Sequence, residues 1–474
     1  MQNSAITIAV VGHTNAGKTS LLRTLTRDKH FGDVSYRNAS TRHVEATTIS
    51  IANQPVLRLY DTPGFEDSVA FRDHLRQFEN YQRGQRATLE AFLASPEAKA
   101  RYEQQAKVVR LLLGDIDAVY YVIDATETPL PKHRAELEIL SWCARPVMPV
   151  LNFVQSPDNR TEAWFAVLAD CGLHLKITFD AVAPKIGSER LLYERLAVML
   201  DSHGERLREL NQALQAEALG RLQAGLRAVA ELLIDAAAYR TQVPAESGPD
   251  IERTTQLVHT RVREREQACV AALLAIYRFD RSDFVDSDLP VMSARLEDDL
   301  FNPQVLKEAS QRLGFGAAVG AAFGLAGDLA LGGLSLGSGA IIGSTLGGAF
   351  GGMLVSSARN LWNWGRAKYH GLVDLTVDNA TLAVLLARQL QLLQTLLGRG
   401  HAATEAATVT GNAEFKEQWA AVKKPLADAR AYPEWSAIGL EIGAATPQQT
   451  ERQEFIKALA DTLWQTWGEP LIRN

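Results

Sequence analysis

The sequence predicts an α/β domain, a mostly parallel sheet with helices on both faces, followed by an all-α half that carries a glycine-zipper hairpin. Three observations carry this reading. Residues from about 5 to 200 alternate short β-rich runs with helical runs, the order that a parallel sheet with crossover helices requires. From about 204 to 310, Leu207, Leu210, Leu214, Leu222, Leu226, Val229 and Leu233 recur at the spacing of one helix face. Between Gly314 and Gly352 lie 14 of the chain's 34 glycines, with Asp328 the sole charged side chain.

In chain order, strands are expected at Ala5–Val11, Val44–Ile51, Val56–Tyr60, Ala118–Ile123, Val147–Phe153 and Leu175–Phe179. Pro244 and Gly248 break the helical region in two, and a leucine-dense helical run covers Leu372 to Leu397. These changes of texture divide the chain into domains at 1–200, 201–312, 313–356 and 357–474. A length of 474 residues suits two to four structural units.

Composition narrows the class. With 46% hydrophobic residues the chain is too apolar for disorder. A net charge of -6 argues against nucleic acid as a partner, which calls for a clustered basic face. Cys143, Cys171 and Cys269 are scattered and odd in number, unlike a secreted disulfide framework. The N-terminal run shows no charged n-region followed by an apolar stretch and a cleavage site. A reducing, cytoplasmic setting is the expectation. The ten histidines show no metal-ligand spacing, and His13 reads as an ordinary loop residue.

The strongest local signal is Gly12-His13-Thr14-Asn15-Ala16-Gly17-Lys18-Thr19, directly after an apolar strand. It fits G-x-x-x-x-G-K-[ST] between a strand and a helix. Glycine lets the backbone curl so that its N–H groups converge on phosphate oxygens, and the helix beginning near Gly17 adds its positive dipole end. Lys18 reaches the outer phosphates and the Thr19 hydroxyl holds Mg²⁺. The expected phosphate-binding set is therefore Gly12, Asn15, Ala16, Gly17, Lys18, Thr19 and Ser20. A second element follows: Leu57–Tyr60 leads into Asp61-Thr62-Pro63-Gly64. Asp61 at a strand end can hold the magnesium shell through water, and the Gly64 N–H can meet a γ-phosphate.

With these residues the chain resembles the P-loop GTPases, and among them the group around the ribosome-assembly GTPase Era and the tRNA-modification GTPase TrmE. The likeness rests on the Asn15-containing loop, on Ala39-Ser40-Thr41-Arg42 and on Asp61-Thr62-Pro63-Gly64, and covers roughly the first 200 residues. It implies GTP and GDP as ligands, Mg²⁺ as cofactor and hydrolysis at the γ-phosphate. Lys18, Thr41 and Gly64 would then stand at the reacting centre, and Thr19, Thr41 and Asp61 around the metal. Thr41 is the switch threonine in this match; its rivals, Thr47 and Thr48, fall inside the expected second strand. The whole layout resembles a bacterial family of GTPases with a C-terminal domain of unknown function.

Several positions depart from the family. Guanine selection there uses Asn-Lys-x-Asp, whereas this chain has Asn152-Phe153-Val154-Gln155. Asn152 keeps the bracing role toward the phosphate loop. Gln155 replaces a carboxylate with a neutral amide, at a cost of about 1.5–3 kcal/mol per charge-assisted hydrogen bond, which puts guanine preference in question; Asp158 is close enough in sequence to substitute. In Phe179-Asp180-Ala181-Val182, the Ala181 N–H is placed to meet a base carbonyl. The residue after Gly64 is Phe65 and not a glutamine that orients water, so catalytic help must come from elsewhere. By the resemblance, Asn15 can help bind K⁺; an arginine from a second copy in a homodimer is the competing source. The helix-like segment Glu66 to Gly114 either moves with loss of the γ-phosphate or simply packs on the sheet.

In the glycine-rich segment, Gly316, Gly320 and Gly324 are four apart, as are Gly339, Gly343, Gly347 and Gly351. That spacing puts small residues on one helix face, where backbones approach closely. Each leg is about 20–25 Å long at helical rise, short of the roughly 30 Å hydrocarbon core. A shallow paired hairpin at the inner membrane is one reading. Arg359, Arg366 and Lys368 with Trp362, Trp364 and Tyr369 beside it suit an interface. A close-packed helix pair in a soluble bundle is the other.

Two classes of function therefore stand: a GTP-hydrolysing switch acting at or near a membrane or a membrane-protein partner, and a nucleotide-holding scaffold with little or no turnover. A nucleotide other than guanine is a further alternative.

Overall fold

The first strand, β1 (Ile6–Gly12), is buried on both sides. Ile6, Ile8 and Val10 enter one core, Ala9 and Val11 the other. A central parallel strand needs this, and its near-continuous apolar sequence follows from it. The computed structural model describes residues 4–28, 31, 44–78, 84–182, 184, 187–244, 248–281, 301, 372–398, 413–439 and 449–469. Thr41, with its neighbours 39–42, and the glycine-rich segment 313–356 lie outside the described residues. Among the described residues no helix is long and apolar enough to cross a membrane.

After β1 come α1 (Lys18–Thr26), β2 (Glu45–Ile51), β3 (Gln54–Asp61), α2 (Ser68–Leu75), α3 (Gln85–Ala94) and α4 (Glu103–Leu113). Then β4 (Ala118–Asp124), α5 (Pro131–Trp142), β5 (Val147–Asn152), α6 (Thr161–Asp170), β6 (Ile177–Thr178) and α7 (Ser188–Met199) complete the domain. The sheet order is β2-β3-β1-β4-β5-β6. All neighbours are parallel except β2 and β3, which form a hairpin across Ala52 and Asn53, both at positive φ. The expected strands are present, with shifted ends and the sixth reduced to Ile177–Thr178.

The two faces are covered by different helices. Leu21, Leu22 and Leu25 of α1, Leu192 and Leu196 of α7, and Leu207, Leu210 and Leu214 lie on one side. On the other, Phe71, Phe92, Tyr102 and Val109 bring the segment between β3 and β4 onto the sheet with α5 and α6. That segment packs on the sheet. Phe71 meets Phe92 edge-on at 4.9 Å between ring centroids and lies 5.1 Å from Tyr102.

The chain falls into two compact units, the first running through Ala218 and the second beginning at Leu219. Helix α8 (Gly204–Ala238) spans that boundary. The second unit is helical: α9 (Gly248–Tyr277), α10 (Asn379–Gly398), α11 (Ala413–Ala429) and α12 (Gln449–Leu463) share a core with the later turns of α8. Gly225 lets α8 approach α10, since a Cβ there would lie 2.7 Å from a methyl of Leu393. The sequence predicts an all-α half, yet β7 (Arg240–Pro244) and β8 (Leu372–Thr376) pair antiparallel. Leu372 therefore opens a strand and not a helix. The leucine-dense run hid this because five residues are too few for periodicity to separate strand from helix.

Candidate nucleotide site

The strands place their chemistry at one edge. Gly12, Asp61, Asp124 and Asn152 all close their strands at the carboxyl end, with Val10 beside Asp61, Gly12 beside Val122, and Asp124 beside Asn152. Open parallel sheets bind ligands in this crevice.

The loop after β1 is tight enough to require its glycines. A Cβ on Gly12 would lie 2.2 Å from the Val122 carbonyl oxygen, and one on Gly17 (φ 88°) 2.1 Å from Asn152 Nδ2. Asn15 adopts φ 67°, which asparagine tolerates better than most residues. Lys18 opens α1 and curls back over the loop. Its Nζ donates to the His13 carbonyl at 2.8 Å and to the Gly12 carbonyl at 3.2 Å. Burial pushes the Lys18 pKa down, opposed by the charges of Asp61, Glu136 and Glu66. Ala16 is buried, Asn15 exposed and Ser20 half-buried on the first turn of α1.

Thr19 Oγ1 donates to Asp61 Oδ2 at 2.6 Å. Burial pushes the Asp61 carboxyl up, opposed by the Thr19 hydrogen bond and by Lys18. A hydroxyl beside a carboxylate, both hard oxygen donors, suits Mg²⁺, so the residues present fit that ion. Among the described residues no cluster of three His, Cys, Asp or Glu side chains is arranged for another metal.

Past β3, Thr62 Oγ1 donates to the Val10 carbonyl at 2.8 Å. Gly64 presses on the loop, where an added Cβ would meet Thr14 Oγ1 at 2.4 Å and Thr14 N at 2.7 Å. The Phe65 N–H donates to the Gly12 carbonyl at 3.3 Å, and the Phe65 side chain is fully buried. It faces the core and not a reacting water. His13 is no ordinary loop residue. Its Nδ1 lies 3.0 Å from the Phe65 carbonyl oxygen and 2.9 Å from Glu136 Oε1 on α5.

At the other end, Asn152 joins two loops: Nδ2 donates to the Ala16 carbonyl at 3.1 Å, and Oδ1 accepts the Ala181 N–H at 2.9 Å. The Ala181 N–H, expected to meet a base, is thus engaged inside the protein. Thr24 Oγ1 donates to the Ala181 carbonyl at 2.7 Å and locks the same loop to α1. The Phe153 ring stands against Gly17, with its tip 3.1 Å from where a Cβ would be. The Gln155 side chain is exposed; the Gln155 backbone N–H donates to Asp180 Oδ2 at 3.2 Å, which brings a carboxylate beside position 155. Asp158 is exposed.

Sequence reasoning missed Glu136 and Gln105. Gln105 Nε2, from α4, donates to the Glu66 carbonyl at 2.5 Å. Neither residue belongs to a motif, and only the fold brings them to the loop.

Comparison with known proteins agrees with this architecture. Residues 7–153 match the family model described as 50S ribosome-binding GTPase. Residues 166–461 match the model described as domain of unknown function DUF3482. A crystal structure titled as a probable GTP-binding protein, EngB, is similar at 18% identity and a TM-score of 0.27, covering 41% of this chain and 99% of that one. No curated protein matches the chain. A P-loop GTPase domain thus precedes a helical region whose family model spans more than half the sequence, and the chain belongs to the DUF3482 family.

Proposed function

We propose that the protein binds GTP with Mg²⁺ and hydrolyses it as a conformational switch. The convergence of Lys18, Thr19 and Asp61 at one strand edge carries this reading, with Thr19 only 2.6 Å from Asp61. In it, the backbone amides from Gly12 to Gly17 and the Lys18 ammonium hold the phosphates, with Ser20 completing the helix start. Thr19 holds the magnesium ion with Thr41, and Asp61 does so through water. Held there, the ion would supply positive charge against the negative charge that develops on the phosphates during hydrolysis. The Gly64 N–H donates to the γ-phosphate, while Asn152 keeps the loop in shape. Asn15, Ala39-Ser40-Thr41-Arg42 and Asp61-Thr62-Pro63-Gly64 support a place nearest the Era and TrmE group.

Buried Phe65 supports a second reading, a nucleotide-holding scaffold with little turnover, because nothing at that position orients a water. Hydrolysis needs help from K⁺ at Asn15 or from an arginine of a second copy in a homodimer. The glycine spacing in residues 313–356 supports action at or near the inner membrane from the cytoplasmic side, and Gln155 supports a relaxed base preference.

One experiment separates these. Displacement of labelled GTP by GTP, ATP and XTP, with Mg²⁺ supplied, reads affinity and base choice. Turnover in sodium and in potassium, with and without vesicles of anionic phospholipid, reads the rest. GTP bound tightly and hydrolysed faster in potassium supports the switch; tight binding with no turnover in any condition supports the scaffold. No binding of any purine triphosphate overturns both.

A further inference from the structure

The His13 side chain is where three elements meet. Its Nδ1 contacts both the Phe65 carbonyl oxygen and Glu136 Oε1, at 3.0 and 2.9 Å. A carbonyl oxygen only accepts, so Nδ1 carries the proton and donates to both. Glu136 is fully buried, and its Oε2 accepts the Tyr121 hydroxyl at 2.6 Å. The carboxylate is thereby aimed from β4, and it in turn aims the imidazole. The backbone around Phe65 is gripped twice more. Its N–H donates to the Gly12 carbonyl, and Gln105 holds the next carbonyl, that of Glu66. The three peptides that follow Gly64 are thus tied to the phosphate loop, to α5 and to α4 in turn.

We propose that His13 is a positioning residue, oriented by Glu136, that sets the Gly64 N–H for the terminal phosphate of a bound triphosphate. The inference rests on the GTP-binding reading above and deepens it, since it concerns how the site tells a triphosphate from a diphosphate. The physical reason is proximity. Gly64 precedes Phe65 directly and packs close to Thr14, whose nitrogen would lie 2.7 Å from a Cβ added there. Releasing the Phe65 carbonyl frees the peptides on that side to turn, and the Gly64 N–H loses its aim. A diphosphate, held by the loop amides and Lys18, makes no use of that N–H.

The test uses the full chain and two substitutions, His13→Ala and His13→Asn, with affinities measured for labelled GDP and for a non-hydrolysable GTP analogue. Asparagine places an amide nitrogen where histidine has Nδ1, so it keeps the donor. His13→Ala should lower the ratio of analogue to GDP affinity about tenfold, the upper scale of one neutral hydrogen bond, and His13→Asn should restore most of it. A side chain that merely stiffened the loop would weaken both nucleotides alike. An unchanged ratio in His13→Ala, or His13→Asn no better than His13→Ala, overturns the proposal while leaving GTP binding intact. Wild-type protein that binds neither nucleotide overturns the underlying reading and this inference with it.

Discussion

Thr19 Oγ1 donates to Asp61 Oδ2 at 2.6 Å, joining the first turn of α1 to the last residue of β3. The pair comes from two motifs about forty residues apart in sequence, and only the parallel pairing of β1 with β3 brings them together. If it is the metal end of the site, the Asp61 charge matters more than its shape. Asp61→Asn keeps the volume and removes the charge. Magnesium should then strengthen GTP binding about 10- to 100-fold less than in the wild type, the range for a lost charge-assisted contact. Fluorescent-nucleotide titrations with magnesium and with chelator read this directly. An equal magnesium effect in both proteins would remove Asp61 from the metal.

Gly64 supports a prediction about turnover. The contacts an added Cβ would make are with the Thr14 backbone as well as its hydroxyl, at 2.7 Å to N and 2.9 Å to Cα. Backbone cannot swing aside as a side chain can. Gly64→Ala should therefore displace the N–H proposed to meet a γ-phosphate and cost about 100-fold in hydrolysis, as loss of one aimed donor does. GDP affinity should stay close to the wild-type value. Single-turnover kinetics beside GDP titration check both halves.

Much of this site is legible in the sequence because its parts are local. Gly12, Gly17, Lys18 and Thr19 are spaced by the turn they form, and Asp61 to Gly64 follow a strand that the β-rich pattern marks. Asn152 is legible from its strand end. His13 was not, because nothing in the loop says which helix faces it. Glu136 sits on α5 among residues of no motif, and it reaches His13 across 123 positions. The β7–β8 ribbon is hidden for a related reason. Its strands are five residues each and pair across more than a hundred positions. Local patterns specify local geometry, and partners chosen by the fold leave no trace in spacing.

The helical unit carries a buried ion network that sequence gave no hint of. Asp235 is fully buried between Arg265 Nε at 2.6 Å and Arg452 Nη2 at 2.7 Å. It also accepts the Ala437 N–H at 3.1 Å. Removing one partner of such a pair strands the others in a poorly solvated place. Asp235→Ala should destabilise the chain by about 3–5 kcal/mol, and Asp235→Asn, which keeps an acceptor, by less. Urea unfolding followed by circular dichroism measures both. A loss below 1 kcal/mol in Asp235→Ala, the scale of exposed ion pairs, would show that the arginines find water instead.

His133 gives the pH dependence. Its Nδ1 accepts the Leu130 N–H at 3.1 Å, so the proton of the neutral ring sits on Nε2, 3.3 Å from Glu127 Oε2. The ring packs on Trp164 at 4.7 Å between centroids. Burial pushes the His133 pKa below the ordinary histidine value, with Lys132 and His13 acting the same way and Glu136 and Glu127 opposing. Protonating Nδ1 would also break the Leu130 hydrogen bond. The unfolded chain therefore takes up a proton near pH 6.5, whereas the folded protein does so only at lower pH. This contribution to stability is complete above that value and is lost as pH falls through the folded pKa. His133→Asn keeps an acceptor for Leu130 and cannot titrate. It should lower stability at pH 7.5 through lost packing, yet lose less than the wild type on acidification to pH 5.5. Urea midpoints at the two pH values decide it. Parallel losses in the two proteins would assign the acid sensitivity to other groups.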